Sequence, residues 1–253
     1  MTERAKYIKI ILLLDELDFF HQNLSIKETI SFFRMLKQNI MSLYLFDNLI
    51  KELNQELREN PSCIELKKNI VKELDFVNHI RNKISGHLDK DLFLRVAQWQ
   101  PKIFSKEINS DNFKILLSYI SLFESAINSY SDKNNKHKLY EFEVDLVIDK
   151  YRAVFIETIF KLNSTSIHIL KILKSKFEEK DIFFEGEDNF IEAKIAGNTD
   201  FNLKKKFEIN FTEINQDEKT IISDEFLKNL DFNKIEDLCA LKTELEKLIK
   251  INS

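Results

Sequence analysis

One short stretch holds most of the residues that could do chemistry together. Asn78-His-Ile-Arg-Asn-Lys-Ile-Ser-Gly-His-Leu-Asp89 carries an Arg, two His, the polar Asn82 and one of the three glycines in 253 residues. In an unbroken helix Arg81 and His87 would diverge by about 120° and stand about 9 Å apart along the axis, too far to act on one atom. Gly86 changes that geometry. A helix that ends there lets His87 leave the helical track, so both side chains can meet at a phosphate held at the helix end. Attack of a 2′-hydroxyl on its neighbouring phosphodiester needs a base near neutral pH, a proton for the leaving oxygen and a cation for the developing phosphorane charge. His87 and Arg81 supply these, and a nearby guanidinium disfavours imidazolium, which keeps His87 neutral and able to act as a base. This route uses no metal and no cofactor.

The elements that must position this stretch are helices. Usage averages would give roughly 18 glycines and 13 prolines; the chain has 3 and 2. A dinucleotide fingerprint, a phosphate loop, a propeller or a tight-turned barrel cannot be built without glycine at their strained positions. Thr2 to Gln22 reads as an amphipathic helix with a wide, interrupted apolar stripe. Ser25-Ile-Lys-Glu28 has capping-box spacing and predicts a second helix running to Glu59, stopped by Asn60-Pro61. Ser62-Cys-Ile-Glu65 repeats that spacing and predicts a third helix, on which Leu66, Ile70, Leu74 and Val77 form an apolar stripe with Arg81 in the same sector.

The third helix should end near Gly86, with Asp89 capping a fourth through Leu92, Val96 and Trp99 that Pro101 terminates. A fifth is predicted over Ser110–Tyr130, a loop over Ser131–His137, and a long helix from Leu139 to Phe177 with a candidate interruption at Asn163-Ser-Thr-Ser166. Beyond residue 180 the pattern changes. Ile191, Ala193 and Ile195, then Phe207, Ile209 and Phe211, alternate with polar residues as strands do, around Gly197-Asn198. Helical signals return over Asp224–Leu230 and Lys234–Ile251. The expectation is a mainly α protein: a helical bundle over residues 1–180 and a small α+β appendage over 181–253, with no internal repeat.

Composition bounds the rest. At 43% hydrophobic and 32% charged residues the chain reads as globular, and 22 Phe against 1 Trp supply the core. With 38 Lys and Arg against 42 Asp and Glu, the net charge of −4 gives no global field for nucleic acid, so any such binding is local. Cys63 and Cys239 lack metal-ligand spacing and read as free thiols of a reducing compartment. The apolar run Ile8–Leu14 is too short to span a bilayer and is interrupted by Lys9, which predicts a cytoplasmic protein with no membrane partner.

Arg81-Asn82, followed after four further residues by His87, on an all-helical chain, resembles the R-x4–6-H motif of HEPN domains. The form Arg-Asn-Lys-x-x-Gly-His-x-Asp is similar to that of abortive-infection and toxin-type members. The resemblance implies a HEPN-like helical bundle, a homodimer that brings two motifs together, and metal-independent endoribonuclease activity in phage defence or a toxin–antitoxin pair. It makes Arg81 and His87 the catalytic pair and Asn82 the supporting polar residue, with RNA and an antitoxin or other defence-system protein as partners. Lys83, Ser85 and His79 are the neighbouring candidates for RNA contact. Some toxin-type members carry a Tyr two residues after the His; this chain has Asp89 there. The likeness covers about a dozen residues.

Other polar features read as structural. His137 sits in a polar loop and His168 on a helix. Asp15, Glu16 and Asp18 form a solvated face, and Asp18-Phe-Phe-His21 is a single unit where a di-metal bundle needs two, with further Glu ligands. Lys204-Lys-Lys206 is a short charge run beside a hairpin, ordinarily facing solvent. The rival to catalysis is a HEPN-like helical module that binds a nucleotide, an RNA or a partner protein without cleaving anything.

Overall fold

A threonine begins each of the first two helices in the computed structural model, which describes residues 2–24, 29–86, 89–180 and 182–183. Thr2 Oγ1 accepts from the Ala5 N–H and starts α1 (Glu3–Asn23); Thr29 Oγ1 accepts from the Phe32 N–H and starts α2 (Ile30–Glu52). The second helix is therefore capped four residues after the expected Ser25. Thr29 is extended and immediately precedes the apolar run, so its hydroxyl reaches an otherwise orphaned donor. Ser25 and Glu28 lie outside the described residues.

Nor does α2 run on to Glu59. The chain turns at Leu53, which is fully buried, and resumes as α3 (Asn54–Arg58), so that Leu53 and Leu57 both enter the core. Asn60, not Ser62, caps α4 (Pro61–Lys68): its Oδ1 accepts from the Ser62 and Cys63 N–H groups. Pro61 takes the first helical position, where a missing N–H costs nothing. A second turn, at buried Ile70, separates α4 from α5 (Val71–Arg81), and α5 passes directly into a π-helical turn, Asn82–Gly86. The single predicted helix from Ser62 to Gly86 is thus three pieces.

Downstream, short polar caps fall where expected. Asp89 Oδ1 accepts from the Asp91 and Leu92 N–H groups at the start of α6 (Lys90–Trp99), which leads into a 3₁₀ turn, Pro101–Phe104. Ser110 caps α7 (Asp111–Asn128). In the following polar turn Asp132 Oδ1 accepts from Asn134 and Lys136, and Asn135 takes the left-handed conformation at φ 59°. The last described helix, α8 (Asp149–Glu178), starts ten residues later than Leu139.

The reason lies in α7. Residues 138–148 form an irregular strap whose backbone is satisfied by side chains: Asn128 bonds both the N–H and the carbonyl of Val144, and Glu124 accepts from the Leu146 N–H. Val144 and Leu146 are buried by this arrangement. The expected interruption at Asn163–Ser166 does not occur. Asn163 and Asn39 on α2 form a reciprocal amide pair at 2.9 and 3.1 Å, both fully buried, so α8 passes through unbroken.

Helices α1, α2 and α8 pack on one another, α5 packs on α2 and α7, and α6 on α7. The core between them is largely phenylalanine: Phe32, Phe33, Phe46, Phe76, Phe123 and Phe155 are buried to within 1%. Among the described residues the chain is mainly helical and has no strand, only an isolated bridge between Ser131 and His137. No described helix is long and apolar enough to cross a membrane. The strands and helices expected over 181–253, Lys204–Lys206 and Cys239 lie outside the described residues.

Candidate functional site

The apolar stripe expected around Arg81 is present: Ile70, Leu74 and Val77 are buried, with Leu66 packed against the same core. Ile80 and Ile84 are fully buried as well and carry the register of the interior through the π turn. Such turns are uncommon and occur often at functional sites. Gly86 is the last residue of this turn, so it closes a π turn where an α-helical stop was expected.

Arg81 leaves α5 across α2. Its guanidinium carbon lies 4.2 Å from the centroid of the Tyr44 ring, a contact worth about 0.5–2 kcal/mol depending on desolvation. Nη1 donates to Asn82 Oδ1 at 3.1 Å on the exposed side, while Nε is buried and has no hydrogen-bond partner among the described residues. An unmet buried donor costs about 1–3 kcal/mol, comparable with what the ring returns. One turn back on α5, Asn78 Nδ2 donates to Asp47 Oδ2 at 2.8 Å. Asp47 is one turn on from Tyr44, so Arg81–Tyr44 and Asn78–Asp47 are successive rungs between antiparallel helices. Asp47 is buried and also accepts from Lys51 at 2.5 Å.

The other expected site residues diverge. Asn82 is exposed beside Arg81. Lys83 pairs with Asp89 across the turn, and this ion pair, together with the Leu92 N–H, holds the Asp89 carboxyl below its usual range. Asp89 therefore fastens the π turn to α6 as well as capping it. The Ser85 hydroxyl is buried without a partner among the described residues. His87 lies outside the described residues.

His79 faces away from α2, toward α7. Its Nε2 is 2.8 Å from Ser129 Oγ, whose hydroxyl donates to the Ala126 carbonyl, so the imidazole is the donor to Ser129. Burial lowers its pKa, and Lys83 and Lys138 add to the effect. Alongside, Tyr130 donates its hydroxyl to Asp75 at 2.5 Å, and burial and Asp75 both raise the Tyr130 pKa.

His137 is structural: Nδ1 accepts from Leu139 and Tyr140, and Nε2 donates to the Ile127 carbonyl. His168 is exposed on α8. His21 lies edge-on to Phe160, Asp18 pairs with Gln22, and Glu16 takes the Ser42 hydroxyl. Among the described residues no three His, Cys, Asp or Glu side chains are grouped to hold a metal ion. Cys63 is buried, which pushes its thiol pKa up.

Tyr44, Asp47 and Lys51 escaped the sequence reading. Their signal was present: polar positions at i, i+3 and i+7 along α2, between Leu43, Phe46, Leu49 and Ile50, all of which are buried. A separate feature is an apolar groove of about 440 Å³ between α6, the 3₁₀ turn and α7, lined by Phe93, Val96, Ile103, Phe104, Ile115 and Tyr119 among others. Phe104 on its wall and the nearby Trp99 of α6 are more than half exposed.

No family model, no curated protein and no solved structure matches this chain.

Proposed function

We propose that this is a HEPN-like, metal-independent endoribonuclease that acts as a homodimer. The observation that supports the reading is Arg81: a guanidinium at a helix end, stacked on an aromatic ring, restrained by a neutral amide and unpaired with any carboxylate among the described residues. A cation held in that way is suited to a phosphate oxygen. His87, six residues further on, removes the proton of the 2′-hydroxyl. The hydroxyl oxygen attacks phosphorus, Arg81 stabilises the charge on the non-bridging oxygens, and the 5′-oxygen departs with a proton from the second copy's imidazole. The products are a 2′,3′-cyclic phosphate and a 5′-hydroxyl. Two copies of the motif across a two-fold axis supply base and acid on opposite sides of the scissile bond.

Asn82 steadies Arg81 in this scheme, whereas His79 is turned toward α7, Lys83 is engaged by Asp89 and the Ser85 hydroxyl is buried, so the RNA contacts expected of those three are not part of it. The biological setting in keeping with the motif is phage defence or a toxin–antitoxin pair in the cytoplasm, with an antitoxin or other defence protein as partner. The test is RNA cleavage in EDTA by wild type and His87→Ala. Wild type is expected to cleave and the variant to lose about a hundredfold or more in rate; equal cleavage, or cleavage that requires metal, sinks the mechanism.

The apolar groove between α6 and α7 favours a second reading, a helical interaction module that binds a partner protein without cleaving RNA. Wild type that associates with RNA or protein but yields no cyclic phosphate would select it.

A further inference from the structure

A buried carboxylate stands one helical turn from the aromatic support of Arg81, yet the two do not pair. Asp47 lies three residues after Tyr44 on α2, and both of its bonds go elsewhere: to the Lys51 ammonium at 2.5 Å and the Asn78 amide at 2.8 Å. Desolvation ordinarily drives a buried carboxylate and a nearby cation together. Both bonds fall on Oδ2, which an ammonium and an amide thus hold in place, and the guanidinium rests on a π face, which attracts a cation without cancelling its charge. Among the described residues, the one hydrogen bond that the Arg81 guanidinium makes goes to a neutral acceptor, Asn82 Oδ1.

We propose that α2 is the second half of the site: Tyr44 is a positioning residue that aims Arg81 at a phosphodiester, and Lys51 and Asn78 keep Asp47 from neutralising it. The substrate's identity rests on the ribonuclease reading; the positioning rests on the geometry alone. Because the contact is with the ring, phenylalanine should serve where an aliphatic side chain does not. Because Asp47 is held off by its partners, removing one of them should let it capture Arg81.

The experiment follows RNA cleavage in EDTA together with the Arg81 Nε–H resonance in a ¹⁵N-labelled protein, assigned by its absence from Arg81→Lys. The buried Nε–H should be visible and shifted upfield by the Tyr44 ring. Tyr44→Phe should keep the shift and retain kcat to within about threefold, while Tyr44→Leu loses the shift and about tenfold or more in kcat, with KM changing far less. Asn78→Leu should lower cleavage, and adding Asp47→Asn should restore it.

An unshifted resonance in wild type overturns the proposal without any variant. So does Tyr44→Leu matching Tyr44→Phe in both readouts, or an Asn78→Leu loss that Asp47→Asn does not rescue. A shifted resonance that responds as expected in a protein that does not cleave RNA would sustain the positioning role and reject the ribonuclease reading.

Discussion

Glu124 and His79 are both half-buried titrating groups on the elements that flank the candidate site, and folding moves them in ways that oppose each other with pH. Burial raises the Glu124 carboxyl to about 7, with Asp145 adding to it, while the Leu146 and Val147 N–H groups pull the other way. The folded protein therefore holds this proton more tightly than the unfolded chain. Its contribution to stability is full below the ordinary carboxyl value and is lost as pH rises from about 4.5 to about 7. His79 is lowered, so its neutral form suits the fold; its contribution is full above the ordinary value near 6.5 and is lost as pH falls below that. Glu124→Gln should accordingly remove a decline in the urea midpoint between pH 5 and 7. Parallel midpoint profiles for wild type and variant would show that the Glu124 proton is not coupled to folding.

At the scale of elements, what could be read from the sequence depended on whether a boundary was marked locally. Asp89 and Ser110 mark theirs with their own side chains, and those two boundaries were legible to the residue, whereas α4 is capped by Asn60, two residues before the expected Ser62. Leu53 and Ile70 interrupt helices as buried apolar residues that look the same as their neighbours, so those turns carried no signature. The strap over 138–148 was read as helix because its substitute bonding comes from Asn128 and Glu124 on α7. The motif itself was plain in sequence; its support by Tyr44 and Asp47 depends on contacts between residues more than thirty positions apart and was not.

The Asn39–Asn163 pair makes the same point in energetic form. Its two amides bond each other, fully buried between α2 and α8. Asn163→Leu strands one amide and should cost about 1–3 kcal/mol, whereas Asn39→Leu with Asn163→Leu removes both polar groups and should recover much of that loss. Denaturant titration of the four proteins measures the coupling, and additive losses would mean that the amides do not act as a pair.

For the whole molecule the proposed mechanism sets a requirement that one chain cannot meet. If base and acid come from different copies, the active species has twice the 30.1 kDa mass of the chain. When His87→Ala is exchanged into wild type at constant total protein, cleavage should fall as the square of the wild-type fraction, because mixed dimers lack one imidazole. A linear fall would show each chain working alone. Light scattering on the same samples reports whether the dimer is present at all.

The pairing of α1 with α8 also bears on how the chain comes to be folded. Lys180 bonds Glu3, the Arg4 Nε–H donates to the Ile182 carbonyl, and Tyr7 donates to Glu178, so the first helix is finished by the last described one. During synthesis at 5–20 residues per second, α1 leaves the ribosome on the order of ten seconds before α8 is complete. Throughout that interval the face bearing Ile10, Leu13, Leu17 and Phe20 lacks its principal covering helix. The nascent chain thus presents an apolar helix to chaperones, and a ribosome stalled before residue 149 should hold an α1 that proteases cut readily and the released protein protects.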